Sequence, residues 1–142
     1  MHLDGERPLG IIAIREDSTC LWGAVDIDKY DLDHAQLVRD LAELGAPAIV
    51  CKTKSGGAHV YLFFSEPIPA QTVIDKLREL ASALGHGDAE IFPKQAQVLL
   101  ERGDLGNWLN MPYFDSRRTE RYAVESDGRG MSVEMFLRRV AE

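Results

Sequence analysis

Two aspartates close an apolar run in the stretch WGAVDIDKYD, where Asp26 and Asp28 stand one residue apart. On a β-strand, residues two apart point to the same face, so both carboxylates would project together. Close carboxylates repel each other unless a cation lies between them. Mg²⁺ and Mn²⁺ take oxygen ligands and tolerate retained waters and substrate phosphates. The pair therefore predicts a divalent-metal site where the strand ends. The alternative is an acidic loop that caps the next helix, which we favour for Asp31 and Asp33 only.

A second motif, KTKSGGAHVY, combines residue types that suit a phosphate or triphosphate. Consecutive glycines allow a close approach of backbone N–H groups to a ligand, and a hydroxyl and two ammonium groups stand beside them. A Walker sequence is absent, which argues against an ordinary P-loop ATPase. The candidate phosphate ligands are Lys52, Lys54, Ser55, Gly56 and Gly57.

His59 follows this turn at the start of a strand, on the same face as Tyr61. A single histidine in a strand is more often a core residue with satisfied hydrogen bonds than a functional one. Its place directly after a lysine-flanked SGG turn favours the functional interpretation instead.

Two later segments carry weaker signals. In GDAEIFPKQ, Glu90 could supply a further carboxylate, and Lys94 and Gln95 could reach a phosphate or a base, although the segment taken alone favours a surface strand with Glu90 solvated. In GNWLNM, Asn107 and Asn110 lie on a predicted strand with aromatic residues. Such aromatic residues are most often core or loop packing, but beside Arg117 and Arg118 they could form a stacking platform for bases.

The elements that must position these residues follow from the hydrophobic periodicity. Apolar runs with turn signals between them predict strands, and apolar residues at helical spacing predict helices that close at glycine. Helices between locally paired strands indicate an α+β fold with a mainly antiparallel sheet and flanking helices. The predicted strands are 10–14 and 20–28 as a hairpin, 48–53, 58–64, 90–92, 98–100, 106–111 and 122–124; the predicted helices begin at Asp31 or Asp33, near Val73 and at Ser132.

Length and composition favour one globular domain over residues 1–142. The N-terminus lacks the pattern of a secretory signal and no apolar run is long enough to span a membrane, so we expect a cytoplasmic protein. Cys20 and Cys51 lack metal-site spacing and are expected to be reduced core residues. A net charge of −7 argues against a protein whose whole surface coats nucleic acid, but it permits a local basic groove.

Taken together and in order, VDID, SGGAH and AEIF resemble the three signatures of the archaeo-eukaryotic primase superfamily. The chain is most similar to the primase domain of TOTE conflict systems and to mobile-element primases, which share the runs RPLG, DIDKY, KSGGAHVYLFF, EIFPKQ and MPYF in similar form. The similarity extends from about Arg7 to Val124, nearly the whole chain. It implies an RRM-like palm of the archaeo-eukaryotic primase type.

The resemblance also implies roles for individual residues. Asp26 and Asp28 would hold two divalent ions, Mg²⁺ or Mn²⁺, with Glu90 as the third acidic ligand and Asp88 as its nearby competitor. Ser55, the glycine turn and His59 would hold the triphosphate of an incoming nucleotide, with Lys52 or Lys54 assisting. The expected partners are nucleoside triphosphates and a single-stranded or primed DNA template, with helicase or accessory replication domains as further partners.

Three functions remain open at this point. The first is a template-directed nucleotidyltransferase that works by two-metal phosphoryl transfer. The second is a catalytically silent nucleotide- or nucleic-acid-binding module of the same fold, which the net charge of −7 and the small size would suit. The third is a metal-dependent phosphohydrolase that uses the same carboxylates without a template.

Overall fold

The computed structural model describes residues 10–95, 108–110, 112–113, 122–125 and 127–141. Six strands and three helices are defined within these ranges. In chain order they are β1 (Gly10–Ile12), β2 (Thr19–Ile27), α1 (His34–Glu43), β3 (Ile49–Lys52), β4 (Ala58–Pro69), α2 (Ala70–Ala83), β5 (Glu90–Phe92), β6 (Trp108–Asn110) and α3 (Val133–Ala141).

Four strands form the main sheet, in the order β3-β4-β2-β5, and every neighbouring pair is antiparallel. Along the chain, β2, α1, β3, β4, α2 and β5 make a βαββαβ unit of the ferredoxin-like type. The α+β prediction with a mainly antiparallel sheet is therefore confirmed, including its RRM-like order. Because β2 and β4 are the two central strands, whatever they carry lies in the middle of the sheet.

Two helices cover one face of this sheet. Asp33 caps α1, since its carboxylate accepts a hydrogen bond from the Gln36 backbone N–H at 3.0 Å, as the predicted capping role requires. Helix α2 packs mainly against β2. The core between helices and sheet includes Leu37 and Leu41 of α1, Val73, Leu77 and Ala81 of α2, and Val25, Ile27, Val60, Leu62 and Ile91 of the strands.

The opposite face of the sheet carries a second layer of apolar contacts. A second apolar cluster joins Ala24, Tyr61 and Phe92 of the sheet to Leu109 and Phe136 of β6 and α3. Because side chains alternate along a strand, residues two positions from these three on β2, β4 and β5 lie on this same face. Polar side chains at these positions therefore lie on the face of the sheet that is opposite α1 and α2.

The predicted hairpin of residues 10–14 and 20–28 is wrong in its extent. A single bridge joins Ile14 to Cys20, whereas β1 pairs with β6 in a separate two-stranded sheet. Over Ala24–Asp26, β2 already has β4 on one edge and β5 on the other. No backbone groups remain there for a third strand, so the first apolar run needs another partner.

Two further predicted strands, 98–100 and 122–124, have different outcomes. The predicted strand 122–124 forms only short bridges, Cys51 to Ala123 and Val124 to Gly130. The predicted strand 98–100 lies outside the described residues. No helix in the described part of the chain combines the length and the hydropathy that crossing a membrane requires.

Candidate functional site

The register of the sheet places three of the predicted site residues in one row. Asp26 of β2 is directly opposite His59 of β4 on one side and Glu90 of β5 on the other. Directly opposed residues point to the same face, with Cβ atoms about 4.5–5.5 Å apart. The row lies on the face opposite α1 and α2, because Asp26 alternates with Val25 and Ile27 of the helix-covered core.

Two contacts hold the imidazole of His59 in this row, one across to β2 and one within β4. Its Nε2 lies 3.4 Å from Oδ1 of Asp26, and its Nδ1 lies 3.3 Å from the hydroxyl of Tyr61. The side chains of His59 and Asp26 are 12% and 27% exposed, so both are shielded but reachable from solvent. Tyr61 itself is buried, and desolvation raises the pKa of its phenol well above the usual value, so it stays a neutral hydrogen-bond donor.

Next to this row is an open cleft of about 240 Å³ that four acidic residues line. Two belong to the DxD motif, and the other two are Asp88, just before β5, and Glu90, its first residue. Asp28 is exposed and lies just beyond the end of β2. The residues that line the cleft are Asp26, Ile27, Asp28, Lys29, His86, Asp88, Ala89 and Glu90.

The predicted metal-ligand set, Asp26, Asp28 and Glu90, therefore shares a cleft but is not assembled as a coordination group. Within the ranges that the structure describes, no three His, Cys, Asp or Glu side chains are close enough to hold a metal ion. Like charges in one cleft separate unless a cation lies between them, and two of these carboxylates have other cationic or polar partners. Asp26 faces His59, and Glu90 faces Lys94.

Glu90 and Lys94 form an ion pair across one turn of chain. The Lys94 Nζ lies 3.0 Å from Oε2 of Glu90 and 5.1 Å from the centre of the Phe92 ring. The side chain of Glu90 is 60% exposed and that of Lys94 is 43% exposed. Lys94, predicted to contact a nucleotide, thus lies at the edge of the acidic cleft.

The glycine turn packs against the segment that carries the DxD motif. A Cβ at Gly57 would overlap the carbonyl oxygen of Ile27, and one at Gly56 would lie 2.8 Å from the carbonyl oxygen of Tyr30. Gly56 also has a φ of +91°, which disfavours any other residue. The glycines were predicted as a ligand cradle; backbone-to-backbone packing against residues 27–30 accounts for them directly.

Hydrogen bonds fix the turn in this position. Within it, the Thr53 N–H donates to the Gly57 carbonyl and the Gly56 N–H donates to the Thr53 carbonyl, both at 3.1 Å. The Gly57 carbonyl also lies 2.8 Å from Nε2 of His34, and since a carbonyl only accepts, this nitrogen is the donor. His34, at the start of α1, was not predicted as a site residue.

The remaining predicted phosphate ligands lie on or beside the turn and do not line the cleft. Lys54 and Ser55 are exposed, and the Ser55 hydroxyl lies 3.3 Å from that of Thr53. Lys52 is half-buried, with its Nζ 5.7 Å from the centre of the Tyr122 ring. Asn107, the last predicted nucleotide contact, lies outside the described residues.

His86 lines the cleft and, like His34, was not predicted as a site residue. Burial and, secondarily, nearby Lys29 lower the pKa of His86, while Asp88 opposes that shift. Its Nδ1 is buried and has no hydrogen-bond partner among the described residues. Its position in LGHGDAE, between two glycines and before two acidic residues, is the signal that could have identified it.

A family model matches nearly the whole chain. The family model described as "TOTE conflict system, Archaeo-Eukaryotic Primase domain" matches residues 1–136. No curated protein matches the chain. The matched range contains every residue of the row, the cleft and the glycine turn.

Proposed function

Because the chain belongs to the archaeo-eukaryotic primase domain family of TOTE conflict systems, we propose that it is a template-directed nucleotidyltransferase, a DNA primase or polymerase. It would add nucleotides from NTP or dNTP to a primer end or to a first nucleotide. The observation that carries this proposal is the row in which Asp26 stands between His59 and Glu90 on the sheet face opposite α1 and α2. That row brings together Asp26 and His59 of the two central strands and Glu90 of the edge strand β5, so it joins the acidic and histidine signatures.

The residues beside the row suit a triphosphate. His59 presents its Nε2 at the sheet surface, where an N–H can donate to a phosphate oxygen. Lys54 and Ser55 are exposed on the turn, so an ammonium and a hydroxyl are available to the same phosphates. Of these donors, His59 is held by Asp26 and Tyr61 before the substrate arrives, and a donor held in place favours charge that develops in a transition state.

Asp26, Asp28 and Glu90 would hold the divalent ions, Mg²⁺ or Mn²⁺, that the family implies. The donor set fits such ions, since it is all oxygen and comes from one strand, its extension and the directly opposed strand. Such ions, when bound, activate a primer 3′-hydroxyl and neutralise charge on the triphosphate and pyrophosphate. To bind an ion, Glu90 would have to leave its ion pair with Lys94. Asp88 lines the same cleft and could take the place of Glu90 as the third acidic ligand.

Primer extension tests the proposal. The wild-type protein should extend a labelled primer on a single-stranded DNA template, or make dinucleotides without a primer, when Mg²⁺ or Mn²⁺ is present. The double variant Asp26→Asn, Asp28→Asn should lose at least about 100-fold of that rate, a loss typical for charge-stabilising groups. Glu79→Gln, an exposed carboxylate on α2, is the matched control and should keep full activity. Undiminished extension by the double variant would overturn the assignment.

A catalytically silent binding module is the second candidate. One observation favours it: among the residues that the structure describes, the carboxylates of the cleft are not close enough together to form a metal-binding group. Such a module would bind nucleotide or single-stranded DNA equally well in EDTA and would make no product. Binding measured with and without EDTA, together with the extension assay, separates the two functions.

A further inference from the structure

The buried hydroxyl of Tyr61 lies behind His59, where it meets the ring nitrogen that points away from the cleft. Tyr61 is 2% exposed and packs against Trp22 and Phe63, with ring centres 5.8 and 5.7 Å away. Its ring is therefore held on both sides. Its hydroxyl is 3.3 Å from Nδ1 of His59, two residues earlier on the same strand face.

The partners of the imidazole determine its tautomer. The Asp26 carboxylate faces Nε2 at 3.4 Å, and because a carboxylate oxygen accepts, a proton on that nitrogen suits the contact. In a neutral ring the other nitrogen, Nδ1, is then an acceptor. The Tyr61 hydroxyl is the group within reach of Nδ1, and burial keeps it protonated, so it donates to that nitrogen.

We propose that Tyr61 is a positioning residue, which holds the His59 ring so that its Nε2–H points across the sheet toward Asp26 and the cleft. This inference rests on the proposed function, because its consequence is a preformed donor for a nucleotide phosphate. Second partners that fix a ring in this way are common behind functional histidines.

Nitrogen NMR of the ligand-free protein tests the geometry directly. In wild type, the His59 signals, identified by their loss in His59→Gln, should show a protonated Nε2 and a hydrogen-bonded, unprotonated Nδ1. Tyr61→Phe, which keeps the ring packing, should shift the Nδ1 signal to that of a free acceptor. Tyr113→Phe is the matched control: it also removes a buried hydroxyl, one bonded to Met131 and Ala123, and should leave the His59 signals unchanged.

Binding of a non-hydrolysable nucleoside triphosphate is the second measurement. Tyr61→Phe should weaken it by roughly two- to tenfold, the range expected for one lost hydrogen bond, and Tyr113→Phe should not. A proton on Nδ1 in wild type, or equal affinities of wild type and Tyr61→Phe, would overturn the inference. Absence of any nucleotide binding by wild type would overturn the proposed function instead, while the spectra would still decide whether Tyr61 orients the ring.

Discussion

The ion pair with Lys94 holds the Glu90 carboxylate only weakly. Both side chains are substantially exposed, at 60% and 43%, and exposed pairs contribute about 0–1 kcal/mol to stability. Glu90 can therefore leave Lys94 for a stronger cation at little cost. In the ligand-free protein, the lysine offsets part of the charge that four carboxylates bring to one cleft.

Replacing this lysine should favour cation binding. In Lys94→Met the carboxylates lose a nearby positive charge, so the affinity for Mn²⁺ should rise by up to about fivefold, the equivalent of a pair of this class. The free energy of unfolding should change by less than about 1 kcal/mol. Calorimetric titration with Mn²⁺ and urea unfolding measure both quantities. Lys76→Met, an exposed lysine on α2, is the control, and a lower Mn²⁺ affinity in Lys94→Met would contradict this account.

Strand alternation was enough to predict that His59 and Tyr61 share a face, but not which residues meet across strands. The sequence placed Asp26 with Asp28 and His59 with Tyr61, each pair two residues apart. The contact of His59 with Asp26 depends on the register of β2 and β4, which no local pattern encodes. His34 is harder still, because its partner Gly57 is 23 residues away and belongs to a turn.

At the scale of elements, the glycine turn couples β3 and β4 to the segment that follows β2. Its two glycines abut the backbone of residues 27–30, and His34 of α1 reaches the same turn. The turn, the DxD segment and the start of α1 are therefore one packed unit. A side chain at Gly57 cannot be accommodated by a rotamer change, because the atom in its way is a backbone carbonyl oxygen.

Gly57→Ala should therefore destabilise the protein and displace the DxD segment. We expect a loss of about 1–3 kcal/mol in the free energy of unfolding, the usual cost of overpacking, together with lower nucleotide affinity. Gly87→Ala is the control, since its new Cβ would lie 3.3 Å from the Ser82 hydroxyl, which can move. Urea unfolding compares the two variants. Equal stabilities would show that the turn yields without strain.

The βαββαβ order was within reach of sequence reasoning because each helix has one apolar stripe and each main strand a clear apolar run. The pairing of β1 was not, since it depends on edge occupancy: β5, only three residues long, takes the edge of β2 that the hairpin would have extended along. A hairpin prediction considers only two strands that are neighbours in sequence. In the sheet, each edge of a strand can pair with only one other strand at a given position.

At the scale of the whole molecule, several buried groups would ionise only in the unfolded chain at alkaline pH. Burial raises the pKa of the Cys51 thiol far above its usual value, that of Cys20 to about 11 and that of Tyr113 to about 12. Unfolded thiols and phenols ionise near about 8.5 and 10. A group whose pKa is raised by folding supports stability below its unfolded pKa, and that support is lost as the pH rises.

The free energy of unfolding should accordingly be insensitive to these groups between pH 7 and 8 and fall from about pH 8.5 upward. A fully buried thiol contributes a slope of at most about 1.4 kcal/mol per pH unit in that range. Urea unfolding from pH 7 to 10.5 measures the decline. Cys51→Ala should show a shallower decline than wild type whatever its stability at pH 7. Parallel curves for the two proteins would contradict the assignment.

The net charge of −7 limits how the proposed template could be bound. A protein with this charge repels a polyanion at long range, so attraction must come from a few cations close to the site. In the described part of the chain, Lys29 lines the cleft, Lys94 borders it and Lys54 lies on the turn that packs against the DxD segment. Each single-strand phosphate neutralised contributes about −0.7 to the salt slope.

Three such contacts predict a slope of about −2 for the logarithm of the affinity for oligo-dT against the logarithm of the salt concentration. Fluorescence anisotropy at a series of NaCl concentrations measures it. Lys54→Ala should reduce the slope by about 0.7 in magnitude, whereas Lys76→Ala on α2 should leave it unchanged. A slope as steep as about −5 would mean that template binding uses a much larger basic surface than these lysines provide. The single-stranded template would then not be bound next to the acidic cleft.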